Sequence, residues 1–441
     1  MTHFHGHLPH ASSDATHNAQ DGDAIPPLHA SQLILYGFGG LAGGLVFTLM
    51  NNALPLFLTA YTMPFSFSPF FEAGSAVPAT VVALLANERS LFGGLIQPLV
   101  GSLSDRTRSR MGKRSPYLLA GGAGTALCIA TLALQPPFWL MIAAVTLGGV
   151  FLFVAFGPYI ALLADIMPYS QRGRAGGLSA LAGVVGALTV GILANQMWDQ
   201  HRGLVFLLTA AGVALSMAVV AFGVREPETP LAMEKVEIKK DRLADTVRTI
   251  VGFPPLAWYV TAIGVYWLGA GAATPFITRF GTDELGISQE RSFALLLPLI
   301  AATAVGAVAS GFLADKFGHR RLLRPGLALF AVGATMSVLV RDMGQAIPVM
   351  VVVGLANGVL TALHIPFLAD LVPKRHAGEF MGFASMIWSV AQPVGALLSG
   401  LLADATGSFR GVFFISGICM LAATLLLGKV PEKPKVKVLE E

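Results

Sequence analysis

The chain has 441 residues, of which 54% are hydrophobic and only 12% charged. Soluble domains carry about 25% charged residues, so a soluble globule of this length is excluded, and a mean hydropathy of +0.68 makes lipid the main solvent. A net charge of +4 is too small to point to nucleic acid; Cys128 and Cys419, far apart in apolar runs, exclude a disulfide scaffold and fit no metal-ligand spacing.

Residues 1–31 are polar and hold six histidines, among them the alternating His3, His5 and His7. No basic-plus-apolar leader with a small-residue cleavage site precedes the first apolar run, so no cleaved signal is expected. The histidines read as a cytoplasmic tail with at most weak affinity for a transition metal. From there, runs of about 20 apolar residues, the length that crosses a bilayer, follow one another. The sequence predicts twelve spans, at 32–58, 79–103, 116–134, 138–164, 175–197, 203–223, 255–279, 291–314, 322–340, 346–369, 380–402 and 410–428. Between the first two, Pro55, Pro64, Pro69 and Pro78 interrupt an aromatic stretch, which reads as the end of span 1 and a loop pressed into the interface. Trp139, Trp198 and Trp258 fall at span ends and read as interface anchors.

Basic residues gather in alternate loops: Arg106, Arg108, Arg110, Lys113 and Arg114 in loop 2–3, Arg172 and Arg174 in loop 4–5, and further clusters in loops 6–7, 8–9 and 10–11. That bias predicts both termini and these loops on the cytoplasmic side of the cell's inner membrane. The mixed-charge stretch 225–254 then divides two six-helix halves, 32–224 and 255–430, leaving 431–441 as a short tail. The halves repeat one another. Leu163-Ala164-Asp165 recurs as Leu368-Ala369-Asp370, and Gly101 with Asp105 recurs as Gly311 with Asp315. The fold class is therefore all-α integral membrane, with two pseudo-symmetric halves, an arrangement suited to alternating access around a midplane site.

The densest motif closes span 2 and runs from Gln97-Pro98 through Gly101, Asp105 and Arg106 to Lys113-Arg114-Ser115-Pro116-Tyr117. Gly101 would let a neighbouring helix approach, and Asp105 would accept hydrogen bonds from a helix N-terminus, where the dipole favours negative charge. Gly101, Asp105, Arg106, Arg110, Asp165, Arg174, Asp315 and Asp370 are together read as a conformational latch; the alternative for the arginines is a pure topology signal. The Gly-x-x-x-Asp-Arg string with its basic loop resembles the inner-loop motif of the major facilitator superfamily. The longer string resembles the glycoside–cation symporters, such as melibiose permeases, and the related sucrose–proton symporters. The resemblance implies alternating-access transport of a small polar solute, often a sugar, coupled to a cation. Melibiose-type members usually place an aspartate before the proline to help bind the cation; here that position is Gln97, so the proton-coupled branch is nearer.

Ionisable groups at membrane depth are functional hypotheses. Glu88 and Arg89 lie inside span 2 and, with His364 in span 10, are the proton-coupling candidates. Asn51, Asn52, Gln97, Asn357 and Gln392 are amides that suit sugar hydroxyls, and Trp388 offers an indole for a sugar's apolar face. Each amide is equally suited to tying helices together, and His364 to a structural hydrogen bond. Glycine-rich phosphate loops, nucleophile elbows and zinc motifs are absent, so neither an enzyme nor an ATP-driven pump is expected. The expected partners are a small-molecule substrate and the lipid bilayer, with no nucleic acid, no metal and no cofactor beyond a proton or other coupling cation, and the chain is expected to act as a monomer. The leading expectation is a proton-coupled sugar or glycoside transporter. The alternatives are a proton-coupled exporter of drugs or metabolites and a non-transporting membrane assembly factor.

Overall fold

The computed structural model describes residues 28–66, 72–167, 169–224, 226, 252–371 and 377–431. Most of the predicted tails and of the 225–254 linker lies outside the described residues. Among them, twelve helices cross in succession. The first, α1, runs Ala30–Ala60, α2 Ala79–Arg106, α3 Ser115–Leu132 and α4 Phe138–Ile166. Helices α5 (169–200) and α6 (202–223) form one run broken only at His201, with φ −138° and ψ 42°. In the second half α7 is Pro254–Asp283, α8 289–317, α9 His319–Ser337, α10 Met343–Leu371, α11 Ala377–Thr406 and α12 Arg410–Leu427.

Length and hydropathy alone pick out 9 runs, but one of them, Arg174–Gly223, is 50 residues long and must be two crossings. Helix α9, which opens on Arg320, Arg321 and Arg324, and α2, which carries Glu88 and Arg89, complete the set. The α1–α2 connection folds back on itself, with Met63 N–H donating to Ser75 O (2.9 Å) and Gly74 N–H to Met63 O (2.8 Å). Phe65 stacks on exposed Trp139 at 5.4 Å, as expected at an interface.

The halves are built alike. Helix α1 packs on α5 as α7 packs on α11, and α2 on α4 as α8 on α10. Lipid gives apolar helices no hydrophobic reason to associate, so close backbone approach through small residues must supply the attraction. A Cβ at Gly44 would collide with the Gly183 carbonyl of α5, and one at Gly395 with the Leu268 carbonyl of α7. Gly101 and Gly311 behave differently from expectation: a Cβ at either meets nothing within 4 Å. Among the described residues no helix packs against either position. Trp198 is a second correction. It is fully buried, and its indole N–H donates to Gln289 Oε1 of α8 at 2.9 Å, because α5 ends against the other half rather than against lipid. Trp139 and Trp258 remain exposed, and Lys429 sits over the Trp258 ring at 4.0 Å.

Candidate functional site

Between the halves lies a cavity of about 610 Å³, walled by α1, α4 and α5 on one side and by α7 to α12 on the other. Its polar lining includes Asn52, Ser179, Thr303, Asn357, Thr361 and Gln392; its rings include Phe47, Phe156, Tyr266 and Trp267. No charged side chain is among the described residues that line it. Tyr266 hydroxyl donates to Asn357 Oδ1 at 3.0 Å, within the cavity wall.

Of the predicted binding residues, the fold brings Asn52, Asn357 and Gln392 to this one cavity. Three others stand off its wall. Asn51 is fully buried and spends its amide nitrogen on Phe47 O at 2.9 Å. Gln97 faces Gly157 of α4. Trp388 is one turn from Gln392 on α11 and borders the cavity through Trp267, at a ring separation of 6.3 Å. His364 is buried, with Nδ1 2.8 Å from Leu360 O. The side chains of Glu88, Arg89, Asp315 and Asp370 lie outside the described residues. The backbone of α2 puts Glu88 nine residues past Ala79, about 13 Å along the helix.

Asn52 belongs to a π-helical turn, Leu49–Ala53, in the middle of α1. Such turns free backbone groups and recur at functional sites. Here the Asn52 carbonyl accepts from Thr278 Oγ1 of α7 at 2.8 Å, a bond between halves. Among the described residues, the other hydrogen bonds that join the halves gather at the same end, opposite the basic loops. Asp404, near the end of α11, takes Ala79 N–H (2.7 Å) and Thr80 N–H (2.9 Å) at the start of α2, and also the Thr80 hydroxyl (2.6 Å). The first turn of α2 has no cap of its own, so a carboxylate of the opposite half supplies one. Gln289 bridges Trp198 (2.9 Å) and Thr59 (3.2 Å) beside it.

At the basic end the ties among the described residues stay within each half, and those of the first half gather on Arg114. Arg114, buried at the start of α3, forks between Asp105 of α2 (2.5 Å) and Asp165 of α4 (2.9 Å), and also reaches Ser104 Oγ; Lys113 adds a contact to Asp165 at 3.1 Å. Asp105 therefore pairs with an arginine and not with a helix N-terminus. The free N–H groups that open α3 are taken instead by Glu226, which accepts from the backbone of Lys113 (2.7 Å), Arg114 (3.0 Å) and Ser115 (2.9 Å). Arg106, Arg110 and Arg174 are exposed and make no ion pair among the described residues. Arg114 was legible only as one of five loop charges; Glu226, just past α6, gave no signal, because its partner is 112 residues away.

The Major Facilitator Superfamily model matches residues 36–307 and 292–441. The chain belongs to that superfamily. It is 23% identical over 414 residues to an uncharacterized MFS-type transporter, YxiO, of Bacillus subtilis, covering 89% of this chain and 94% of that one. It is 27% identical over 341 residues to the multidrug resistance protein MdtG of Yersinia enterocolitica, covering 75% and 78%. With the galactose–proton symporter of Escherichia coli it shares 29% identity over 166 residues, covering 37% and 34%. Among solved structures, a bacterial homologue of the lysosomal transporter Spinster superposes with a TM-score of 0.66 at 14% identity, covering 90% of this chain and 94% of that one, a likeness of fold alone. The chain is thus a multi-pass membrane transporter of this superfamily, not an enzyme.

Proposed function

We propose that the protein carries a small uncharged polar solute, a sugar or glycoside, by alternating access in symport with a proton. One observation carries the reading: the cavity between the halves is lined by amides, hydroxyls and aromatic rings, with no charge among its described residues. Amides and hydroxyls both give and accept hydrogen bonds, which matches a polyol, and rings suit the apolar faces of a sugar. A dissolved ion would meet no countercharge there, and burying it unpaired is costly. The Gln97-to-Tyr117 string, similar to the glycoside–cation branch, supports the same class, as does the relation to a galactose–proton symporter.

The joined end, at Asp404, corresponds on this reading to the outer face of the inner membrane, so the conformation is closed to the outside and both termini are cytoplasmic. Arg114 with Asp105 and Asp165 acts as the latch of the first half, and Gly311, Asp315 and Asp370 are its counterparts in the second. The proton resides on Glu88, balanced by Arg89, or on His364. A second reading, proton-coupled export of drugs, draws on the six aromatic rings of the cavity and on the relation to MdtG. A ligand-stabilisation screen over sugars, glycosides, nucleosides, amino acids and lipophilic cations separates the two, because a ligand that binds only the folded state raises its melting temperature. Stabilisation by sugars or glycosides supports the proposal. Stabilisation by lipophilic cations alone refutes it in favour of export.

A further inference from the structure

Below Gln392 and Thr361, toward the basic end, three side chains from three helices meet: Trp267 of α7, His364 of α10 and Trp388 of α11. The His364 ring lies 5.0 Å from Trp388 and 6.0 Å from Trp267. Among the described residues neither indole N–H has an acceptor, although both nitrogens are closed off from solvent. A buried donor left unpaired is costly, and native structures rarely keep one; here two stand in one cluster.

The cluster is held in place with care. Trp267 is one turn before Gly271, and Trp388 one turn before Gln392. A Cβ at Gly271 would collide with the Gln392 backbone, so the same close approach of α7 and α11 sets both indoles. Tyr259 hydroxyl donates to the His364 carbonyl and ties α10 to α7 at that level. The cluster is also continuous with the cavity. Trp267 lines it, and Asn357, Thr361 and His364 follow at intervals of four and three residues, which puts them on one face of α10. Gln392 and Trp388 share a face of α11 in the same way.

We infer that Trp267, Trp388 and His364 form a hydroxyl-binding subsite of the central cavity, which takes one edge of a hydroxylated ring as the solute moves toward the basic end. The inference rests on the proposed class of solute and deepens it. The donor pattern selects the ligand. Leu360 O can only accept, so His364 Nδ1 carries the proton and, in the neutral ring, Nε2 is left as an acceptor. The edge on offer is two donors and one acceptor. Hydroxyl groups satisfy all three, since each gives one hydrogen bond and accepts others. A carboxylate only accepts and would set its oxygens against the Nε2 lone pair. The flanking indole faces add apolar surface for ring C–H groups.

The test uses the full-length protein, purified, with galactose, lactose and p-nitrophenyl galactoside as probes. Trp267→Phe and Trp388→Phe keep a ring and remove only the N–H, and His364→Phe removes the acceptor. Each is expected to weaken binding of at least one probe about five- to tenfold, the effect of one lost hydrogen bond to an uncharged group, while the ligand-free melting temperature holds or rises. A monodeoxy galactose that lacks the contacted hydroxyl is expected to bind the wild type and the Phe variant alike. Wild-type affinity for every probe in all three variants overturns the subsite and leaves the proposed function standing. A wild type that binds none of the sugars overturns both.

Discussion

Asp404→Ala is the sharpest perturbation of the joined end. In the wild type this carboxylate holds two backbone N–H groups at the start of α2 and the Thr80 hydroxyl, all from the opposite half. An acidic cap replaced by alanine costs about 1 kcal/mol, and a hydroxyl bond contributes about as much. Asp404 is exposed, so screening lowers the sum to about 1.5 kcal/mol. These bonds exist only while this end is closed, so their loss shifts the conformational equilibrium by the full amount, about tenfold toward opening. Ser337 reports that shift. It lines the cavity and is buried, with its hydroxyl bonded to Gly333 O. With Cys128 and Cys419 replaced by alanine and Ser337 by cysteine, a membrane-impermeant thiol reagent applied opposite the basic loops should label about ten times faster in the Asp404→Ala background. Asp404→Asn, which keeps a good cap but loses the charge, should fall in between. An unchanged labelling rate in a protein of unchanged melting temperature would refute the assignment of Asp404 to the closure.

Arg114→Met leaves Asp105 and Asp165 facing each other without their shared cation, and should cost about 2 kcal/mol of stability, reduced from the buried-pair value because Asp105 is largely exposed; thermal denaturation in detergent reads it. Arg114→Lys should recover less than half, since one ammonium cannot replace a planar fork. Asp105→Asn should slow transport in proteoliposomes more than it weakens solute binding, because it acts on a conformational equilibrium; equal losses would remove it from the latch. A cysteine at Ser109 should resist impermeant thiol reagents in intact cells, and ready labelling would invert the orientation. Glu88→Gln should abolish accumulation driven by a pH gradient while sparing solute exchange; full accumulation would move the proton site to His364 or elsewhere.

The fold was legible because lipid imposes a simple code: a run of about 20 apolar residues is a span, and basic loops mark its ends. Apolar length alone leaves out α9, with its three arginines, and the spacing of the basic loops placed it. The code did not show how helices meet. The close contacts of Gly44 with Gly183 and of Gly395 with Leu268 look in sequence like any glycine among the 49, whereas the conspicuous Gly101 packs against none of the described residues. Of the amides, Asn52, Asn357 and Gln392 reach the cavity, but Asn51 does not, and only the π-turn of α1 decides between neighbours in sequence. The joining of the halves was the least legible. Asp404 lies 325 residues from Ala79 and ends an ordinary apolar helix, and Trp198 has the sequence context of an interface anchor yet is buried between halves. Such pairings depend on which conformation the halves adopt, and no local pattern records it.

Counterflow tests the central claim most directly. Proteoliposomes preloaded with unlabelled galactose or lactose and diluted into the labelled sugar, with no pH gradient, should show transient accumulation of label, because a carrier that alternates between two faces exchanges solute faster than it leaks. The overshoot should disappear in Gln392→Ala, which strips an amide from the cavity wall. Entry no faster than into protein-free vesicles, from a protein shown to be folded, would contradict the account.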